Sequence, residues 1–158
     1  MSRPVRFFLM GLLCWVASTT AVAQTTAING HINGIEVCAQ SIEICGGYAS
    51  FVGTFVGKIN GNDTTAAFAS RVKHENLNET KQGITLVREG DWLLALDANT
   101  AIGGTVAPGG TLTFRPNNTF AIDLTLPITL GGSGTAIFDG TLNHNVFPPT
   151  VTGRFRSK

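Results

Sequence analysis

The sequence predicts an all-β domain: a small up-and-down antiparallel β-barrel of about 8–10 strands, with a two-sheet β-sandwich as the alternative. Three observations carry this prediction. Apolar residues recur with a period of two over long stretches, most clearly from Phe120 to Leu142. Gly and Thr are abundant while charged residues make up only 13% of the chain, which suits half-buried strands and tight curvature. Neither heptads nor long segments of helical period occur.

The clearest element is the hairpin centred on Gly131-Gly132-Ser133-Gly134. Before it, Phe120, Ile122, Leu124, Leu126, Ile128 and Leu130 alternate with Ala121, Asp123, Thr125, Pro127 and Thr129. After it, Ala136, Phe138, Gly140 and Leu142 share one face. Setting Leu130 opposite Ala136 makes Ile128 meet Phe138, Leu126 meet Gly140 and Leu124 meet Leu142. A slip of one residue would bring Leu126 against Asp139, so that register is expected. Pro127 cannot donate to a ladder and marks a bulge or an unpaired edge position.

Upstream, residues 1–23 read as a secretory signal peptide. Arg3 and Arg6 precede the apolar run Phe7 to Ala17, and Ala21-Val22-Ala23 is a cleavage signal. Cys14 lies inside the run behind Leu13, not after a small residue at its end, which argues against a lipid anchor. The expected mature chain, residues 24–158, is one domain in a secreted or periplasmic location. Nine Lys and Arg stand against ten Asp and Glu in it. With no basic stripe, nucleic acid is not an expected partner. Stable membrane insertion after cleavage is not expected either: a porin-like barrel needs longer strands than Thr111 to Phe114.

Two cysteines remain, Cys38 and Cys45, in the echo Ile35-Glu36-Val37-Cys38 and Ile42-Glu43-Ile44-Cys45. Export makes a disulfide the expectation. Seven residues of helix would hold the two about 10 Å apart, and seven of strand would aim them at opposite faces. A bridge therefore needs a reversal in Ala39-Gln40-Ser41.

From Tyr48 to Ile59 a long strand places Phe51, Gly53, Phe55, Gly57 and Ile59 on one face, and Asn60-Gly61-Asn62-Asp63 turns it. Thr64 to His74 follows. Ile84 to Val87 and Trp92 to Leu96 read as two short strands joined around Glu89-Gly90-Asp91. Ile102, Gly104 and Val106 lead to a turn at Pro108-Gly109-Gly110, placing Val106 opposite Leu112. Arg115-Pro116-Asn117-Asn118 then sets Phe114 opposite Phe120 and Leu112 opposite Ile122. The last strand carries Val151, Gly153 and Phe155 inward.

Residues able to do chemistry are few. His31, His74 and His144 belong to no spaced metal motif, so no metal and no cofactor is expected. His144, in phase with Leu142, falls at the inner end of a strand; His74 and Tyr48 are the other candidates for proton transfer. Nucleophile elbows and phosphate cradles are absent from the sequence. Inward positions alternate large and tiny: Phe51, Gly53, Phe55, Gly57; Ala136, Phe138, Gly140; Val151, Gly153, Phe155. Glycines let strands coil while rings fill the space. The same pattern can also wall a cavity for a small apolar ligand, with Phe51, Phe55, Leu124 and Phe138 as its contacts. The expectation is a non-enzymatic binding protein. A barrel-type cyclase or isomerase using His144, His74 or Tyr48, and a surface-loop inhibitor or adhesion module, are the alternatives.

Two partial resemblances bear on the fold alone. Gly90-Asp91-Trp92 is similar to the G-x-W triplet of lipocalins. The meander with its Gly-rich hairpin, over Gly131 to Gly140, resembles the barrels of allene oxide cyclases and dirigent proteins. Both imply an antiparallel barrel, and no residue role is carried over from either.

Overall fold

The computed structural model describes residues 25–38, 46–75 and 83–158. Residues 1–24, 39–45 (Cys45 among them) and 76–82 lie outside this description. Nine strands run β1 (Ile28–Glu36), β2 (Ala49–Ile59), β3 (Asn62–His74), β4 (Ile84–Ala95), β5 (Ala101–Thr105), β6 (Thr111–Arg115), β7 (Thr119–Leu130), β8 (Gly134–Asn143) and β9 (Thr150–Ser157). Every pairing between them is antiparallel, and β1 pairs with both β2 and β9, which closes the sheet into a barrel. Strands β5 and β6 both lie between β4 and β7 and run end to end, so nine strands form eight staves. The order around the barrel is then the order along the chain, and among the described residues no strand is left as an edge for another to extend.

Local chemistry explains the turns. Asn60 and Gly61 adopt φ of 50° and 83°, the left-handed pair that a two-residue hairpin needs to match strand twist. Asn118, with φ 55°, closes the turn from β6 to β7 through its N–H to Arg115 O at 3.1 Å.

Four local expectations are corrected. First, Ile28–Glu36, a segment to which the sequence pattern assigns no strand, is β1 and supplies the closure. Second, Glu89-Gly90-Asp91 is not a turn, because β4 is continuous from Ile84 to Ala95. Gly90 sits there because Arg71 O and the Val106 side chain crowd the place where a Cβ would go. Third, Pro108-Gly109-Gly110 does not make a hairpin, and Val106 does not face Leu112. The segment is a break within one stave, bonded on both sides. Gly109 N–H donates to Val87 O at 3.0 Å, Val87 N–H to Gly110 O at 2.8 Å, and Ala107 N–H to Thr125 O at 2.8 Å.

Fourth, the β7–β8 register differs by four residues. Leu126, not Leu130, lies opposite Ala136; Leu124 faces Phe138, Ile122 faces Gly140 and Phe120 faces Leu142. Faces are preserved because the displacement is even. Leu130 has left β8 to pair with Gly103 of β5, beside a bulge two residues past Pro127. The predicted pairs Phe114–Phe120 and Leu112–Ile122 are present.

The apolar face of every stave points inward. Phe55, Phe155, Ile32, Leu94, Leu126, Val72 and Val87 are fully enclosed. One half of the interior is filled by rings: Phe155 meets Phe55 edge-on at 6.1 Å and Trp92 at 5.2 Å, and Trp92 Nε1–H donates to Pro127 O at 3.3 Å. Interior glycines serve those rings. The Phe55 ring lies over the paired Gly30 and Gly57, and the Phe138 ring over the paired Gly140 and Gly153. Charges point outward, as in Lys58–Asp63 at 2.7 Å, Arg71–Asp91 at 2.8 Å and Arg156–Asp139 at 2.8 Å. Among the described residues no helix is long and apolar enough to cross a membrane.

Candidate functional site

Strand alternation places Glu36 on the inner face at the last position of β1, in phase with Ile28 and Ile32. Its N–H is held by Pro149 O at 2.9 Å, and the residue is only 8% exposed. His144 follows β8 by one residue and keeps the inward phase of Leu142; its N–H donates to Asn118 O at 3.2 Å. The two side chains meet, with His144 Nε2 3.0 Å from Glu36 Oε2. The imidazole packs on Phe120 at 5.2 Å, and Phe120 on the exposed Phe114 at 5.3 Å. In the corrected register His144 neighbours Phe120 and not Ile122, as the Leu130–Ala136 pairing would have required.

Burial is the main influence on the Glu36 carboxyl and pushes its pKa above the ordinary carboxylate range; His144 and, more weakly, His74 oppose it. A buried carboxyl in contact with an imidazole is the kind of pair that can pass a proton between its members. Glu36 was not a candidate in the sequence. The signal for it was its phase with Ile28 and Ile32, visible only once β1 is recognised as a strand.

The interior also holds a cavity of about 20 Å³, which neither Glu36 nor His144 lines. Three of the four expected contacts, Phe51, Leu124 and Phe138, line it, together with Phe68, Leu112 and Ile122. Phe55 does not; it belongs to the filled half with Phe155. The volume is that of about one water molecule, against the several hundred Å³ of a typical ligand site. Thr85, fully buried on β4, directs its hydroxyl into the barrel with no hydrogen-bond partner among the described residues.

The other candidates are placed apart. His74, at the end of β3, donates from Nδ1 to Glu75 O at 2.6 Å, a tautomer assigned because a carbonyl can only accept. Glu75 pairs with Arg88. Tyr48 stands outside the barrel: its hydroxyl donates to Glu89 at 2.7 Å, and Arg71 and Lys73 lie over its ring at 5.2 and 5.8 Å. His31 faces outward between Val56 and Arg154, so the three histidines do not converge. No group of three or more His, Cys, Asp or Glu among the described residues is arranged to hold a metal ion. The Cys38–Cys45 pairing involves Cys45, outside the described residues. No family model, curated protein or solved structure matches the chain.

Proposed function

We propose that the protein is an exported, non-enzymatic binding protein whose barrel interior takes a small apolar molecule. The observation that supports this most is the uneven filling of the interior. Around Phe55, Trp92 and Phe155 the barrel is packed with rings. The other half keeps a cavity of about 20 Å³ between Phe51, Phe68, Leu124 and Phe138. A ligand larger than water enters by moving side chains, so its apparent affinity is lowered by the population of the opened state. Outward charges at Asp139, Arg154 and Arg156 favour a barrel surrounded by water, and the leader of residues 1–23 favours a secreted or periplasmic place.

Native mass spectrometry of exported Gln24–Lys158 tests the reading. Extra mass lost on denaturation, belonging to an apolar compound, supports it. An apo mass, with no thermal shift in millimolar cyclohexanol, overturns it. The same spectrum reports the expected Cys38–Cys45 bridge as two missing hydrogens.

One observation favours a second reading, a proton-transfer enzyme of the isomerase kind. Glu36 and His144 supply an inward-facing acid–base pair, Nε2 3.0 Å from Oε2, whereas a carrier needs only apolar walls. His144→Ala and Glu36→Gln would leave a carrier's affinity nearly unchanged and abolish turnover by an enzyme.

A further inference from the structure

The outer face of the barrel is divided. On β7, β8 and β9 it is polar, with rows such as Asp123–Asp139–Arg154 running across neighbouring strands. Across β1 to β5 and on to the end of β7 one row of direct cross-strand partners is apolar throughout: Ile35, Val52, Ala69, Leu93, Gly103 and Leu130. Six strands at about 4.8 Å spacing make this stripe about 24 Å long. Val52, Leu93 and Leu130 in it are among the exposed large hydrophobics of the molecule, as is Val56 nearby. Beside it lies the row Thr54–Ala67–Ala95–Ala101, whose side chains are small.

Small residues between large ones give the face relief. Two open troughs of about 590 and 600 Å³ flank Leu93, one floored by Ala67, Ala69 and Ala95, the other reaching Leu130. Each has room for a leucine side chain. The charges on the near side of the stripe are already paired within the chain: Arg71 with Asp91 at 2.8 Å and, one row further, Lys73 with Glu89 at 3.5 Å. A strongly charged partner therefore gains little here, while two identical faces can approach without like-charge repulsion.

We propose that this stripe is the interface of a symmetric homodimer. A two-fold axis over the stripe sets the ridge of Val52 and Leu93 on one copy into the alanine trough of the other, so one surface supplies both halves of the fit. Val52, Leu93 and Leu130 are the exposed apolar side chains of this row, and their burial drives association. The inference does not depend on what the interior binds.

Light scattering coupled to size exclusion, on the exported protein from about 1 to 100 µM, tests it; about 1–100 µM spans the weak, transient range of such contacts. The expected result is twice the monomer mass at the upper concentrations. Val52→Lys and Leu93→Lys, each at an exposed position, should raise the dissociation constant at least tenfold while circular dichroism stays that of the parent. Thr141→Lys, on the polar half, should change nothing. A monomer at every concentration overturns the proposal, and so does a dimer that Val52→Lys and Leu93→Lys leave intact. Co-sedimentation of a monomer with neutral phosphatidylcholine vesicles would overturn it too, by giving the stripe to lipid.

Discussion

Gly140→Ala should destabilise the barrel through one identifiable ring. A Cβ built at Gly140 falls 2.5 Å from Phe138 Cζ and 2.8 Å from Thr152 O. The carbonyl belongs to the β8–β9 ladder and cannot withdraw, so the Phe138 ring must leave its seat over Gly140 and Gly153. Overpacking of this kind costs about 1–3 kcal/mol. For the 135 residues from Gln24 to Lys158, unfolding entropy is about 0.28 kcal/mol per degree, so Tm should fall by about 4–11 °C. The neighbouring cavity of about 20 Å³ gives the ring somewhere to go and favours the lower end.

Thermal unfolding of a double-mutant cycle with Phe138→Leu isolates the cause. The leucine alone should cost about 1–2 kcal/mol, but in its presence Gly140→Ala should cost about 1 kcal/mol less. Relief stays partial because the Thr152 carbonyl remains. Gly53→Ala is the contrast: backbone atoms of Asn33 and Gly34 occupy its Cβ position, so no side-chain trimming should rescue it. Strict additivity of Gly140→Ala and Phe138→Leu would refute the idea that these glycines exist to seat rings.

Three further outcomes are expected. The raised Glu36 pKa means that its contribution to stability is full below about pH 4.5, the unfolded value, and is lost as pH rises through the folded value. Melting of wild type and Glu36→Gln from pH 4 to 8 should therefore show the variant gaining on wild type with rising pH; a constant gap contradicts this sign. Asp123 and Asp139 face each other directly across β7 and β8, and Arg156 neutralises only Asp139. Asp123→Lys should stabilise by about 0.2–1 kcal/mol in denaturant titration, with the gain shrinking in high salt. Thr85→Val removes a buried hydroxyl that has no partner among the described residues, and should raise stability by about 1 kcal/mol; a loss of similar size would show that the hydroxyl is bonded in solution.

Closure into a barrel was legible because alternation identifies faces, and faces are what a barrel sorts. Alternation does not identify partners. Leu130 opposite Ala136 and Leu126 opposite Ala136 put the same residues on the same side, so the test that rejects a slip of one is blind to a slip of four. What selects the true pairing lies elsewhere in the chain. Gly103 of β5 takes Leu130, and Thr26 N–H bonds Ser133 O at 2.9 Å across the Gly-rich loop. The break at Pro108-Gly109-Gly110 was misread for a related reason. Its glycines look like a hairpin, yet Gly109 and Gly110 keep their bonds to Val87 and so hold β5 and β6 in one stave.

Strand β1 ties this lesson to the site. Of its five inward positions, Ile28, Gly30, Ile32, Gly34 and Glu36, only two carry apolar side chains, so the pattern reads as loop. The glycines become intelligible only against the neighbouring strand, where the Phe55 ring covers Gly30 and the backbone of Val52 and Gly53 crowds Gly34. Glu36 is likewise out of character until His144 arrives from the far end of the chain, 108 positions later, at 3.0 Å. Local propensity carries no information about a partner that distant. The strand whose own side chains say least about burial therefore both closes the barrel and supplies its one buried carboxyl among the described residues.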